Sequence, residues 1–185
     1  TLDEAFSEFI QQKEAMGLAK DTIRNYNLSY HIFYTYNQFD NKTEVSAITT
    51  NIINKWINHM RKEEIAPSSM NHYLRDIRAF VNFCIKREYL DTPVEIPQLK
   101  QQEELPKFYS EEDIEKLLKK PEVNDTFVEW RMWCIVNFIL ATGARAATVR
   151  NVRVADINFD DRTVNLSNHT KNNEALTVPL SDALG

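Results

Sequence analysis

Apolar residues recur at helical spacing through the first ninety residues of the chain and predict four amphipathic helices. The first is expected to end at Gly17, because glycine is a common helix C-cap. The later three are expected to start at polar caps, namely Asp21 or Thr22, Thr49 or Thr50, and a serine after Pro67. Four such helices with short links predict a compact bundle over residues 1–90.

The helical period stops after this bundle. Residues 91–107 contain Pro93, Pro97 and Pro106 with the polar run QLKQQEE among them. Proline-rich polar stretches without periodicity are typical of connections between domains. The sequence therefore predicts a linker over residues 91–107.

A second set of elements is predicted over residues 108–185. Ser110 and Asp113 resemble a capping box for SEEDIEKLLKK, an apolar helix follows from about Phe127 to Leu140 and ends at Gly143, and a short helix carries arginines. The pattern then alternates in RTVNLS and ALTVPLS, which predicts a β-hairpin. Because one hairpin on three helices makes a poor domain, we expect this part to be incomplete. The predicted fold is mainly α, with an α+β second part.

Composition narrows the class of protein. The chain has 185 residues, 43% of them hydrophobic, and a net charge of -5. It contains no apolar run of the roughly 18 residues that suggest a membrane span. Cys84 and Cys134 lie in apolar helical patterns and are expected to be buried free thiols in the reducing cytoplasm.

One stretch departs from the acidic average. Between Trp130 and Ala155 the charged residues are four arginines, namely Arg131, Arg145, Arg150 and Arg153. Arg145 follows Thr-Gly-Ala after the most apolar helix, so we expect it near the core, where an unpaired guanidinium is costly. Arg150 and Arg153, three residues apart, are expected to share a helical face. A solvated helix face and an anion-binding surface both remain open from these residues alone.

The run ATGARAATVRNVRVADINFDDRTVNLSNHTKNNEALTVPLS resembles the first half of the catalytic domain of the tyrosine recombinases, the phage and mobile-element integrases. The resemblance lies in a Thr-Gly-x-Arg turn into a short helix, a strand, a lysine-bearing hairpin turn and a strand ending in Val-Pro-Leu. The four predicted N-terminal helices, with KDTIRNY and SSMNHYLRDIRAFVNFCIKREYL, resemble the SAM-like core-binding domain of the same family.

The resemblance implies catalytic roles for two residues. Arg145 would contact the non-bridging oxygens of the scissile phosphate, and Lys171 would protonate the departing 5′-hydroxyl. It implies no metal and no other cofactor. Thr148 stands where the family usually has an acidic residue. All seven tyrosines occur at or before Tyr109, and no His-x-x-Arg follows the hairpin, so this chain alone lacks the family's nucleophilic tyrosine and is expected to be inactive.

The predicted partner is double-stranded DNA, held by polar and basic residues at helix starts. Asn71 and Arg75, four residues apart, are expected to project together as a base-reading pair. Solvated, capped helix starts are the alternative. The predicted DNA-binding residues are Lys20, Thr22, Arg24, Asn25, Ser68, Ser69, Asn71, His72, Arg75 and Arg153.

Three functions remain open. The chain is foremost expected to be part of a tyrosine recombinase that breaks and rejoins strands through a 3′-phosphotyrosine. The resemblance implies a tetramer on DNA for the full-length protein, whereas this fragment could be monomeric. A non-catalytic DNA-binding regulator of the same fold is the second reading. The third is a helical protein-interaction module without a DNA role, which the net charge of -5 favours.

Overall fold

The computed structural model describes residues 1–101, 108–166 and 176–180, which divide into two units, Thr1–Glu104 and Leu105–Gly185. The predicted mainly helical fold with a small sheet is confirmed. The helices in the described residues are α1 Leu2–Ala15, α2 Lys20–Tyr36, α3 Thr50–Lys62, α4 Pro67–Lys86, α5 Glu111–Leu118, α6 Phe127–Thr142 and α7 Ala146–Asn151. None of them is both long and apolar enough to cross a membrane.

Two of the predicted helix starts in the first unit differ from the structure. Thr49 caps α3 as predicted, through a hydrogen bond to the Ile52 backbone. However, α4 begins at Pro67 after Ala66, ahead of the expected serine cap. Proline fits the first helical position because its missing N–H would have no partner there. Likewise α2 begins at Lys20, before the expected caps, and has no side-chain cap.

An aromatic cluster forms the centre of the first unit. The rings of Phe6 and Tyr30 stack with centroids 3.6 Å apart, and Phe80 meets both rings edge-on. The Tyr30 hydroxyl donates a hydrogen bond to Asp3, so the buried polar end of the ring is satisfied. This cluster joins α1, α2 and α4 into one core, which fixes the surface that α4 presents.

Residues 94–101 pack along this bundle and are called the strap. Val94, Ile96 and Leu99 pack against the core, and the Glu95 backbone N–H donates to the Thr50 hydroxyl. The first part of the expected linker therefore belongs to the first unit. An extended segment can bury some of its side chains without a helical repeat. The sequence of residues 94–101 therefore resembles a linker although the segment packs on the bundle.

Helix α6 begins and ends as its sequence predicts. Thr126 and Glu129 form a capping box at its start, and Gly143 ends it in the left-handed conformation at φ +64°. The Ser110–Asp113 capping box of α5 is also confirmed. No described residue of α6 is buried, although most residues of the helix are apolar. Cys134 on α6 is accordingly exposed, which contradicts the expected burial, whereas Cys84 in the first unit is buried.

Three short antiparallel strands complete the second unit in the order β1 Ile157–Asn158, β2 Thr163–Asn165 and β3 Thr177–Pro179. The predicted hairpin is the β2–β3 pair, whose register places Val164 opposite Val178. Strand β1 was not predicted. Val164 and Leu166 form a small buried cluster with Ala144, so the sheet packs beneath the turn that precedes α7.

Candidate nucleic-acid interface

A polar groove of about 310 Å³ lies along the first half of α4. Its lining combines four of the predicted DNA-binding residues with two further ones, in full Ser68, Asn71, His72, Arg75, Arg78 and Gln98. Two guanidinium groups, an imidazole and amides surround this groove. Such groups donate hydrogen bonds, so the groove suits an anionic ligand.

A buried carboxylate organises one side of the groove. Asp76 Oδ1 accepts hydrogen bonds from Arg75 Nε at 3.2 Å and Nη2 at 3.0 Å. Its Oδ2 accepts from the Ser29 hydroxyl of α2 at 2.8 Å and lies 3.4 Å from His72 Nε2. Only 4% of Asp76 and 1% of Ser29 are exposed. The charge of Asp76 is therefore satisfied from both sides in the way that burial demands.

The imidazole of His72 completes this cluster. Its Nδ1 lies 3.1 Å from Arg75 Nη2. Because a guanidinium can only donate, Nδ1 must accept, which assigns the proton of the neutral ring to Nε2, the atom that faces Asp76. The three side chains thus orient one another within a single turn of α4.

Asn71 and Arg75, the predicted base-reading pair, both line the groove, and each side chain also has a partner within the protein. The Asn71 amide donates to the Leu99 carbonyl at 2.9 Å and accepts from the Leu99 N–H at 2.8 Å. Arg78 likewise binds the Ile96 carbonyl through Nε at 3.2 Å and Nη2 at 2.8 Å. Both side chains hold the strap, because an extended segment leaves backbone groups that need partners.

The other predicted residues of the first unit lie outside the groove lining. Ser69 is exposed, as are Lys20 and Arg24 in the first turns of α2, while Thr22 and Asn25 are half-buried. Sequence reasoning missed two groove-organising residues, Ser29 and Asp76. Asp76 did carry a signal, since its neighbours at i−3 and i+4, Tyr73 and Phe80, are both apolar.

In the second unit, a tight turn joins α6 to α7. The Thr142 hydroxyl donates to the Phe138 carbonyl at 2.6 Å and accepts from the Ala144 N–H at 3.2 Å. Gly143 supplies the positive φ that ends α6, and Ala144 is buried against Val164 and Leu166 of the second unit. The backbone of Arg145 is therefore fixed directly after this turn, as the residue that precedes α7.

Arg145 is exposed, which contradicts its expected place near the core. The position of Arg145 differs from the prediction because the turn buries its neighbour Ala144 and leaves the Arg145 guanidinium in solvent. Arg150 and Arg153 do not share a helical face, since α7 ends at Asn151 and Arg153 precedes a short 3₁₀ turn. There the Arg153 N–H donates to the Asp156 carboxylate at 2.7 Å.

Thr148 and Lys171 are the other two residues that the sequence placed at the predicted catalytic site. Thr148 is buried, with 4% exposure, and its backbone N–H donates to the Arg145 carbonyl at 2.8 Å. It therefore belongs to the packing of α7. Lys171 lies outside the described residues.

Known protein families match the two units in the same order along the chain. The family described as Phage integrase SAM-like domain matches residues 1–95, and the Phage integrase family matches residues 107–185. These consecutive matches define the chain as a two-part protein of the phage-integrase type. The chain belongs to the phage integrase family, the tyrosine recombinases.

Relatives and solved structures show the same likeness. Tyrosine recombinase XerD of Halalkalibacterium halodurans is 28% identical over 166 residues, which cover 86% of this chain and 54% of the relative. XerD of Listeria innocua is 26% identical over 146 residues, which cover 77% and 49%. The chain thus spans about half the length of these curated relatives.

The Tn1549 transposon integrase, solved in complex with transposon right end DNA, is similar in fold. Its TM-score is 0.74 at 14% identity, over 100% of this chain and 62% of that one. A complex with a circular intermediate DNA gives 0.72 at 12% identity over the same shares.

Proposed function

We propose that this chain is the DNA-binding and partial catalytic region of a tyrosine recombinase that performs site-specific recombination of double-stranded DNA. The observation that carries the proposal is the order of the two family matches, over residues 1–95 and 107–185, around an exposed arginine at a Thr-Gly-x-Arg turn. The Tn1549 integrase, of similar fold, was solved on DNA, which supports the same partner for this chain.

In this function Arg145 binds the scissile phosphate. Phosphoryl transfer builds negative charge on the equatorial oxygens, and a planar guanidinium matches two of them at once. Among the described residues, the Arg145 side chain has no hydrogen bond or ion pair, and it lies in solvent. Its donors are therefore available to a ligand, and the Thr142 turn keeps its Cα in place.

Lys171 is proposed as the general acid for the departing 5′-hydroxyl. A lysine can deliver a proton to an alkoxide as it leaves, which lowers the barrier to strand cleavage. This role comes from the resemblance of the connecting segment, and the nucleophilic tyrosine of the complete reaction is likewise a family expectation.

The first unit would bind the duplex through the α4 groove and the exposed start of α2. Arg75 is the guanidinium in the groove whose outer face remains in solvent, with 63% of its side chain exposed. Lys20 and Arg24 supply further positive charge on α2. We propose that these groups contact phosphates and that Asn71 acts indirectly, by holding the strap.

A DNA-binding regulator without catalysis is the second candidate. The observation that favours it is Thr148, which is buried where the family usually has an acidic residue. A hydroxyl cannot balance the charge of an arginine as a carboxylate would. Sequencing the gene around this coding segment separates the two functions, because a recombinase requires a His-x-x-Arg and a later tyrosine.

Selection from a random pool of duplex DNA, followed by binding of the enriched sequences against salt, tests the proposed function. We expect a half-site on the order of ten base pairs and an affinity that falls steeply with salt, because bound phosphates release counterions. Absence of enrichment at low salt would refute duplex binding by this chain and favour an interaction module.

A further inference from the structure

The groove contains an arginine that is fixed at one edge and open at the other. Arg75 places Nε and Nη2 against Asp76, yet 63% of its side chain is exposed. Nη2 also contacts His72 Nδ1 at 3.1 Å, so Nη1 is the guanidinium nitrogen without a hydrogen bond to the described residues. A surface arginine usually samples many rotamers, whereas this one has a fixed edge.

The Asp76 carboxylate that binds Arg75 is buried and hydrogen-bonded. Asp76 is buried on α4, and its other oxygen receives the Ser29 hydroxyl from α2 at 2.8 Å. Ser29 is buried as well, so the pair connects two helices of the core to the surface of the groove. A bundle could seal this position with an apolar residue at lower desolvation cost. Packing alone therefore does not account for Ser29 and Asp76 at this position.

We propose that Asp76 is a positioning residue that, together with Ser29, orients Arg75 to bind a backbone phosphate of DNA in the α4 groove. The inference rests on the proposed function and extends it to residues that touch no DNA. Asp76 fixes the guanidinium before binding, so less conformational freedom is lost when the phosphate arrives. His72, which contacts both Asp76 and Arg75, limits the remaining rotation.

A positioning role for Asp76 predicts that Asp76→Asn lowers the affinity for DNA, whereas electrostatics alone predicts that it raises the affinity. Asp76→Asn keeps the size of the side chain and an acceptor for Ser29, but removes a negative charge beside the groove. If charge alone mattered, the variant would bind DNA more tightly, since local positive charge governs affinity. If Asp76 positions Arg75, the variant binds more weakly.

A double-mutant cycle on the full chain tests the proposal, with affinity for the selected duplex measured against salt. We expect Asp76→Asn to weaken binding about tenfold and to have no further effect in an Arg75→Ala background, because positioned groups are coupled. Ser29→Ala should weaken binding less. Asp91→Asn, at an exposed loop position, is the matched control and should leave the affinity unchanged or slightly tighter.

Two outcomes overturn the proposal. One is tighter binding by Asp76→Asn, which would make the carboxylate a simple repulsive charge. The other is equal weakening with and without Arg75, accompanied by a lower melting temperature, which would make Asp76 a residue of the fold only. Asp76→Asn that binds more weakly at an unchanged melting temperature, with full coupling to Arg75, supports it.

A second measurement does not depend on duplex binding. The Arg75 side-chain N–H signals in NMR spectra should move on titration with inorganic phosphate, and this response should be reduced in Asp76→Asn but not in Asp91→Asn. If the wild-type chain binds no duplex, the proposed function fails, and the phosphate titration alone decides the positioning role. An Arg75 response that is absent, or equal in Asp76→Asn, overturns it.

Discussion

The side-chain amide of Asn71 forms two hydrogen bonds with the backbone of Leu99, as donor at 2.9 Å and as acceptor at 2.8 Å. This reciprocal pair copies the pattern by which one strand binds another. It joins α4 to the strap at the edge of the groove. The strap is therefore part of the surface on which the proposed DNA contacts depend.

Asn71→Ala should destabilise the first unit by about 1–3 kcal/mol, because the Leu99 N–H and C=O would lose their partners. Urea denaturation followed by the fluorescence of Trp56, which is buried in this unit, measures the change. Asn82→Ala, on an exposed face of the same helix, is the control and should change stability by less than about 0.5 kcal/mol. Equal effects in the two variants would contradict the structural role of Asn71.

Arg145→Ala should reduce the slope of log affinity against log salt by about one, because one phosphate contact is lost. In the full-length protein, strand cleavage should fall at least about 100-fold, since the guanidinium stabilises charge that develops in the transition state. The slope is measured by fluorescence anisotropy on labelled duplex.

Arg150→Ala is the matched control for Arg145, as an exposed arginine within α7. It should leave both the salt slope and cleavage nearly unchanged. If the two variants behave alike, the positive charge of the region acts as a whole and Arg145 has no individual role.

Thr142→Val should destabilise the second unit by about 0.5–1.5 kcal/mol, because both hydrogen bonds of the hydroxyl disappear at constant side-chain size. The effect should also reach DNA binding, since the turn fixes Arg145. Denaturation followed by the fluorescence of Trp130 and Trp133 reports this unit. Thr177→Val on β3 is a matched control with an exposed hydroxyl, and a loss of stability as large as that of Thr142→Val would argue against the turn.

Alkaline pH should destabilise the first unit. Burial raises the pKa of the Cys84 thiol from 9.0 to about 12, and burial and the hydrogen bond to Asp3 raise the pKa of Tyr30. The unfolded chain then binds fewer protons than the folded one above about pH 9, so the free energy of unfolding falls as pH rises from about 9 to 12. Urea midpoints between pH 7 and 11 measure this fall, and Cys84→Ala should flatten it. A midpoint that stays constant to pH 11 would refute the buried titration.

The two cysteines should differ in reactivity with a thiol reagent at pH 8. Cys134 is exposed and should react within seconds to minutes, whereas Cys84 is buried with a raised pKa and should react only as the unit unfolds. Counting the thiols that have reacted over time in Cys134→Ala and in Cys84→Ala assigns each kinetic phase to one cysteine. Rapid reaction of both thiols in the native chain would contradict the burial of Cys84.

Local signals in the sequence were sufficient for much of this fold. The Ser110–Asp113 box and the Gly143 stop depend on residues a few positions apart, so the sequence pattern already contains them. The exposure of Cys134 could not be predicted in the same way. An apolar pattern indicates a residue's preference for burial, but actual burial depends on which other elements cover the helix.

The candidate site was predictable by region and less so by residue. Asn71, His72 and Arg75 were predicted to contact DNA and all three line the groove, but Asn71 differs from the other two in that it also binds the strap. That difference depends on a segment 28 residues further along the chain, which no local pattern encodes. Asp76 and Ser29 are 47 residues apart and meet only through the packing of α2 on α4.

The lack of buried residues on α6 has a consequence for how sequence changes are tolerated. Twenty buried hydrophobic residues cluster in the first unit and three in the second, counting the part of the chain that the structure describes. Among the described residues, each buried side chain of the second unit supplies a larger share of that unit's buried cluster, so removing one costs a larger share of its stability. We therefore expect random mutagenesis of this chain to give more tolerated substitutions in the first unit than in the second. This difference should extend to positions away from the proposed DNA contacts.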